Sequence, residues 1–309
     1  MISFPANCNV MATENKSRHP KLRIIPRLDI KGGNLVKGIH LEGLRVLGEP
    51  SRFARHYYEE GADELLYIDI VASLYGRNSL LDIIERTARE VFIPITVGGG
   101  LRSIDDIGNA LRAGADKIAI NTAAVLRPEF IREASQKFGA STIVLSIEAM
   151  KLPDGTYEAY TDNGREKTGF DACQWAVRGV ELGAGEVLIT SVDREGTGLG
   201  FDLELSRRIA ESVPVPVIAG GGAASVEHVK EAALCAHVQA VAVASMLHYP
   251  FVRRSNESDG LSNSLENRFE RTATISSKFR DIGLSTLKRQ LAEDGILCRQ
   301  VPVAEAVLQ

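Results

Sequence analysis

The chain has 309 residues, 44% hydrophobic and 25% charged, with a net charge of −4. That is enough apolar surface for a large core, and the length suits one α/β barrel or two smaller domains. No apolar run approaches the roughly 20 residues of a membrane span, the first residues lack the unbroken apolar core of a secretory signal, and the acidic balance argues against general nucleic-acid binding, so a cytoplasmic location is expected.

Residues 1–20 are polar and are expected to be a disordered extension. From residue 21, short apolar runs alternate with amphipathic segments: RIIPRLDI (23–30), ELLYIDIV (64–71), PITVGG (94–99), KIAINT (117–122), STIVLSIEA (141–149), EVLITSV (186–192), VPVIAGGG (215–222) and QAVAVASM (239–246). Eight such runs with helix-sized connections predict a (β/α)8 TIM barrel over 21–309, a parallel helix-covered sheet being the other arrangement they fit. After the eighth run, a stretch rich in Ser, Asn and charge reads as a polar insert at 250–277, before LSTLKRQLAEDG (284–295) resumes a helical pattern. The insert leaves the C-terminal end of the eighth strand, which in a barrel is the active face.

An internal repeat shapes the expected site. IPITVGGGLRSIDDIG starts at Ile93 and VPVIAGGGAASVEHVK starts 122 residues later at Val215. GADELLYIDI and GAGEVLITSV share that offset, and Asp29 and Glu148, 119 residues apart, end the first and fifth runs. The chain thus reads as two half-barrels in tandem with two equivalent half-sites.

The glycine triplets 98–100 and 220–222 each end a strand and open a helix. Glycine lets backbone N–H groups approach an anion, and the following helix N-terminus favours negative charge. Asn121, Thr122 and Ser245 lie at the ends of the neighbouring strands. The triplets are either turn glycines or paired phosphate cradles, and the second reading implies a substrate with a phosphate at each end. Asp29 and Glu148 are either a general acid and base facing each other across a barrel mouth or a helix cap and a solvated rim charge. Lys37 falls in a segment, KGG to VKG, expected to be a mobile loop, where it binds substrate or is simply solvated.

At the opposite strand ends, Arg23, Glu64, Lys117 and Glu186 alternate in sign. They are a solvated rim or a ring of ion pairs closing the barrel floor. The four cysteines have no C-x-x-C spacing, which suggests neither a zinc site nor a disulfide framework, and they read as free thiols. No ligand-spaced cluster of His or Cys calls for a metal.

The segments RIIPRLDIKGGNLVKG, GADELLYIDI, TVGGGLRS, GADKIAINTAAV, ITSVDREGT and DLEL, in this order, resemble the cyclase subunit of imidazole glycerol phosphate synthase (HisF-type), from histidine biosynthesis. The resemblance covers about residues 21–249 and the last helix. It implies a glutaminase (HisH-type) partner docked at the N-terminal face of the barrel, ammonia passed through the centre, and no cofactor. It also implies a bisphosphorylated ribulosyl-formimino substrate closed to imidazole glycerol phosphate and an aminoimidazole carboxamide ribotide. Asp29 and Glu148 then stand at the catalytic positions, and Arg23, Glu64, Lys117 and Glu186 at the ammonia gate. The substrate and phosphate positions are Lys37, Gly100, Asn121, Thr122, Thr190, Glu195, Gly221, Gly222, Ala244 and Ser245.

Four residues depart from that pattern. Glu148 and Glu195 stand where aspartates are usual, Gly220 where serine is usual, and Arg27 where a small residue, usually cysteine, is expected. Strand alternation turns Arg23, Ile25, Arg27 and Asp29 to one face, so Arg27 falls inside the barrel, where it needs a partner. Asp29, Glu148 and Ser146 are the candidates. These departures keep two other functions open: a paralogue conducting ammonia to another acceptor, as in nucleotide-sugar amidation for surface polysaccharides, and a catalytically impaired subunit that activates its partner.

Overall fold

A computed structural model of the chain describes residues 21–71, 80–258, 279 and 281–300. The first half runs β1 (Arg23–Lys31), β2 (Asn34–Ile39), β3 (Glu42–Gly48), α1 (Pro50–Glu59), β4 (Leu65–Asp69), α2 (Leu81–Ala88), β5 (Ile95–Gly98), α3 (Ile104–Arg112), β6 (Lys117–Ile120), α4 (Thr122–Leu126) and α5 (Glu129–Phe138). The second half runs β7 (Ile143–Lys151), β8 (Tyr157–Thr161), β9 (Glu166–Asp171), α6 (Ala172–Glu181), β10 (Glu186–Ser191), α7 (Leu203–Ser212), β11 (Val217–Gly220), α8 (Val226–Cys235), β12 (Ala240–Val243), α9 (Ser245–Ser258) and α10 (Leu284–Glu293).

Strands β1, β4, β5, β6, β7, β10, β11 and β12 pair in parallel in that order, and β12 returns to β1. The eight apolar runs of the sequence are these eight strands, and the barrel is closed. Alternation sorts their side chains. Ile24, Leu28 and Ile30 pack with Tyr67, Ile118, Leu145, Ile189 and Val241 in the core between strands and helices. Ile25, Leu66, Ala119, Val144, Leu188, Ile218, Ala240 and Ala242 form a separate cluster inside the barrel. Each fully buried Leu or Ile contributes about 1.5–3 kcal/mol, so the two layers dominate the fold energetics.

The repeat is visible in local structure. Ser103 accepts a hydrogen bond from the Asp106 N–H in a capping box that opens α3, and Ser225, 122 residues on, accepts from the His228 N–H to open α8. Each half also carries a feature absent from the eight-run reading. β1 continues into the antiparallel hairpin β2–β3, and β7 continues into the antiparallel hairpin β8–β9. The turns again match at 122 residues: His40 and Leu41 have φ of 50° and 62°, Asp162 and Asn163 have 52° and 62°. The first turn has neither Gly nor Asn, the residues that usually accept this left-handed conformation, and so it is poorly marked in sequence.

The segment expected to be a mobile loop around Lys37 is therefore a strand, β2. Helix α9 follows β12 after one residue and reaches Ser258, so the insert expected from residue 250 begins inside a helix. The remainder, 259–278, and the extension 1–20 lie outside the described residues. Cys173 and Cys298 are free thiols as expected. Cys235 is disulfide-bonded, which corrects the expectation for that residue. Among the described residues no helix is long and apolar enough to cross a membrane.

Candidate functional site at the barrel mouth

The inward face of β1 sets out the barrel interior in layers. At the floor, Arg23 bonds Glu64 and Glu186 at 2.5 Å each, and Lys117 bonds the same two carboxylates at 3.0 and 2.9 Å. The four charges thus form a closed ring of ion pairs, not a solvated rim. Above it lies the apolar layer around Ile25 and Leu188.

The next layer is polar. Arg27 is 4% exposed; its Nε donates to Asp29 Oδ1 at 2.8 Å and its NH1 to Thr190 Oγ1 at 3.0 Å. Of the candidate partners, Asp29 is therefore the one used, and Thr190 supplies the second contact. Behind Arg27, the buried His248 Nε2 donates to the Arg27 carbonyl at 2.9 Å. That leaves Nδ1 to accept from the Tyr57 hydroxyl at 2.6 Å, which fixes the tautomer. Burial pushes the His248 pKa down to about 4, so the ring is a neutral brace. Neither Tyr57 nor His248 carries a sequence signal beyond its residue type.

Lys37 is buried, donating to Asp29 Oδ2 at 3.1 Å and to the Glu195 carboxylate. Burial opposes its charge, but Glu195 and Asp29 outweigh that and raise its pKa. Its position in a mobile loop is thus corrected: Lys37 is the latch that ties hairpin β2–β3 to the turn after β10. The His40 N–H donates to the Glu195 carbonyl at 2.8 Å and reinforces that contact. Hairpin β8–β9 makes the reciprocal reach. Asn121 Nδ2 donates to the Tyr160 carbonyl at 3.2 Å, and the Gly164 N–H donates to Glu148 Oε2 at 2.8 Å. The two turns meet where Asn163 Nδ2 donates to the Leu41 carbonyl at 2.9 Å.

The two carboxylates on the inward face have opposite electrostatics. Burial favours the protonated form of Asp29, but Arg27 and Lys37 win and hold its pKa at about 2. Burial also favours the protonated form of Glu148, and there it prevails over the pull of Arg27, raising the pKa to about 7. Between those values one carboxylate is ionised and the other carries a proton, the condition for a base and an acid to work together.

The glycine triplets flank this pair. Gly99 and Gly221 have φ of 94° and 95°, and a Cβ would fall 2.1 Å from the Asp69 carbonyl oxygen in one and 2.7 Å from the Ser191 carbonyl oxygen in the other, again 122 residues apart. Only glycine fits either place. Gly100, Asn121 and Thr122 line a cavity of about 530 Å3 that extends to Ser146 and Glu148 and has Arg102 and Arg127 on its wall. Sequence reading missed these two arginines, which follow the first triplet and α4. On the other side, Gly221, Gly222 and Ser245 are buried, Ala244 is half-buried, and the Gly200 N–H donates to the Gly222 carbonyl at 2.8 Å. All predicted site residues therefore gather at the mouth, except the four that form the floor ring.

Comparison with known proteins agrees with this architecture. The profile of the family described as "Histidine biosynthesis protein" matches residues 23–252. Imidazole glycerol phosphate synthase subunit HisF of Legionella pneumophila is 57% identical over 206 residues, covering 67% of this chain and 97% of the relative. The chain belongs to the histidine biosynthesis protein family, within its HisF-type cyclase subunits.

Proposed function

We propose that the chain is the cyclase subunit of imidazole glycerol phosphate synthase, joining ammonia to a bisphosphorylated ribulosyl-formimino substrate to give imidazole glycerol phosphate and the aminoimidazole carboxamide ribotide. The observation that carries this reading is the presence of two inward carboxylates at the barrel mouth, Asp29 held anionic and Glu148 holding its proton up to about pH 7, together with two glycine cradles related by 122 residues. Backbone N–H groups at Gly99–Gly100 and Gly221–Gly222 suit one phosphate each. Asn121, Thr122, Arg102 and Arg127 support the first, and the buried Ser245 supports the second.

With the substrate held at both ends, its reacting carbons lie over the barrel axis. Asp29 accepts the proton that attacking ammonia gives up, and Glu148 donates a proton to the carbonyl oxygen, which leaves as water as the new C–N bond forms; that nitrogen then closes onto the formimino carbon, whose bond to the ribotide nitrogen breaks, and the proton held on Asp29 passes to the departing aminoimidazole carboxamide ribotide. A glutaminase partner supplies the ammonia. The ring of Arg23, Glu64, Lys117 and Glu186 at the N-terminal end of the barrel is the face on which that partner docks, and the complex works in the cytoplasm.

The test is turnover of the bisphosphorylated intermediate by the purified chain with ammonium salt, and by Asp29→Asn. General acid–base catalysis is worth about 10²–10⁴-fold, and the variant loses rate in that range. A well-folded native chain that binds the intermediate and forms no product would overturn the reading.

A further inference from the structure

Of the four departures in the sequence, Arg27 is the one that bonds Asp29 directly. Its Nε donates to Oδ1 at 2.8 Å, while Lys37 Nζ donates to Oδ2 at 3.1 Å. Both oxygens of the carboxylate are therefore held, by cations on neighbouring strands. An ionised carboxylate offers about four acceptor sites, so each oxygen keeps a lone pair for the reacting nitrogen. What the two bonds remove is rotation. Lys37 alone would be a point charge about which the carboxylate could swing, whereas the planar guanidinium on the other oxygen sets the plane.

Arg27 is itself seated. Its NH1 donates to Thr190 Oγ1 at 3.0 Å, on β10, three strands from β1 around the barrel. Its carbonyl accepts from His248, which is braced in turn by Tyr57. Gly220 on β11 is the register partner of Thr190, and a Cβ there would lie 3.2 Å from Thr190 Oγ1, so glycine leaves that hydroxyl free to receive Arg27. The anions whose fields act on the guanidinium are Asp29, Glu195 and Glu148, and they outweigh the burial that opposes its charge. Lys37 is the neighbouring cation. Glu148, for its part, faces Arg27 and Asp29 from β1 and Asp162 from the turn of hairpin β8–β9, with the Gly164 N–H on Oε2. Arg27 is the cation of that set. It bonds one catalytic carboxylate and faces the other.

We propose that Arg27 is a positioning residue for the cyclisation: seated on Thr190 beside Gly220, it sets the plane of the Asp29 carboxylate and turns its charge on Glu148, so that base and acid are aligned through one guanidinium. This rests on the reading of the chain as an ammonia-using cyclase. A displacement of about 1 Å in a reacting group can cost ~100-fold in rate, so a carboxylate released to rotate is a slower base.

The experiment uses the full chain with the bisphosphorylated intermediate and ammonium salt, at saturating free ammonia from pH 6 to 9. Arg27→Met keeps the bulk of the side chain and removes its charge and donors, and Arg27→Lys keeps the charge. Arg27→Met lowers kcat by at least about tenfold and leaves KM for the intermediate within about threefold, because the residue acts through Asp29 and not on the substrate. Arg27→Lys recovers part of that loss. Since Arg27 draws Glu148 toward its ionised form, the fall in rate near pH 7 moves to higher pH in Arg27→Met and stays in place in Arg27→Lys, a shift that a purely structural role would not produce. A kcat in Arg27→Met equal to or above the native value overturns the proposal and leaves the cyclase reading intact. A loss carried by KM alone, or a loss with the alkaline limb unmoved, overturns it as well. Thr190→Val serves if Arg27→Met does not fold: it removes the seat and keeps the guanidinium, and an unchanged kcat there defeats the proposal. Absence of ammonium-dependent product in the native chain overturns the cyclase reading, and the proposal with it.

Discussion

The two halves of the barrel share a plan and differ in how tightly each is shut. At the first half-site, Gly99 and Gly100 are half-exposed and line an open cavity with two arginines on its wall. At the second, Gly220, Gly221 and Gly222 are buried, and hairpin β2–β3 is fastened over the neighbouring turn by Lys37 and His40. The hairpin belongs to the first half and covers the second. Duplication therefore supplied two cradles, while side-chain chemistry at the latch made them unequal. A substrate with two chemically different ends benefits from that inequality, because it can be bound in only one direction.

The largest test of this comparison is to cut the latch. Lys37→Met leaves Glu195 buried without its cation and reduces Asp29 to one partner. Removing one member of a buried pair costs about 3–5 kcal/mol. Expected results are a loss of that order in urea unfolding and faster proteolysis within β2–β3, with β8–β9 unchanged. If both hairpins become equally susceptible, the asymmetry does not come from Lys37.

The carboxylates sharpen the comparison through pH. Glu148, in the second half, has a folded pKa of about 7, above its ordinary value of 4.5, with burial the main cause. Below 4.5 it is protonated in both folded and unfolded chains and contributes nothing to the pH dependence. Between 4.5 and 7 only the unfolded chain releases the proton, so stability falls as pH rises across that window, by on the order of 3 kcal/mol, and levels off above it. Asp29, in the first half, has the opposite sign. Its folded pKa of about 2 lies below its ordinary 3.8, so its contribution is present above 3.8 and lost as pH falls through 2. Urea unfolding of the native chain against Glu148→Gln from pH 4 to 8 reads the first effect directly, and parallel curves would exclude it. If Glu148 is the proposed general acid, the rate at saturating ammonia is expected to fall through about pH 7 as it deprotonates, and a rate flat across that range would remove it from that role.

Much of this was legible in the sequence. The eight strands, the half-barrel offset, both triplets and the interior placement of Arg27 follow from apolar periodicity and glycine spacing, because the parallel barrel buries its strands on both faces. The hairpins were not legible. Asn34–Ile39 and Glu42–Gly48 are partly polar, and the turn between them uses His40 and Leu41, residues that seldom take positive φ. Missing β2 is what turned Lys37 into a loop residue. Pairing was only partly legible: Asp29 was one of three candidates for Arg27, and Thr190 was not among them, since it lies 163 residues away on a strand whose register only the closed barrel fixes.

The smallest expected effect compares the cradles themselves. Gly99 and Gly221 occupy equivalent left-handed positions, yet the room beside them differs. A Cβ at Gly99 meets the Asp69 carbonyl oxygen at 2.1 Å, with the Asp69 carbonyl carbon and nitrogen both at 2.8 Å, whereas at Gly221 the nearest atom is the Ser191 carbonyl oxygen at 2.7 Å. Each alanine pays the same conformational penalty of positive φ, so that cost cancels in the comparison and the steric difference remains. Gly99→Ala is expected to cost about 3 kcal/mol and Gly221→Ala about 1 kcal/mol, within the range of strained backbone sites. Urea midpoints of the two variants measure the difference. The order matters for function as well as stability. The open half-site has the tighter backbone, with its shape fixed before substrate arrives, while the covered half-site has the looser backbone and depends on the Lys37 latch for its shape. Equal costs, or the reverse order, would mean that the hairpin covers a cradle as rigid as the open one, and that the asymmetry of the mouth lies in access alone.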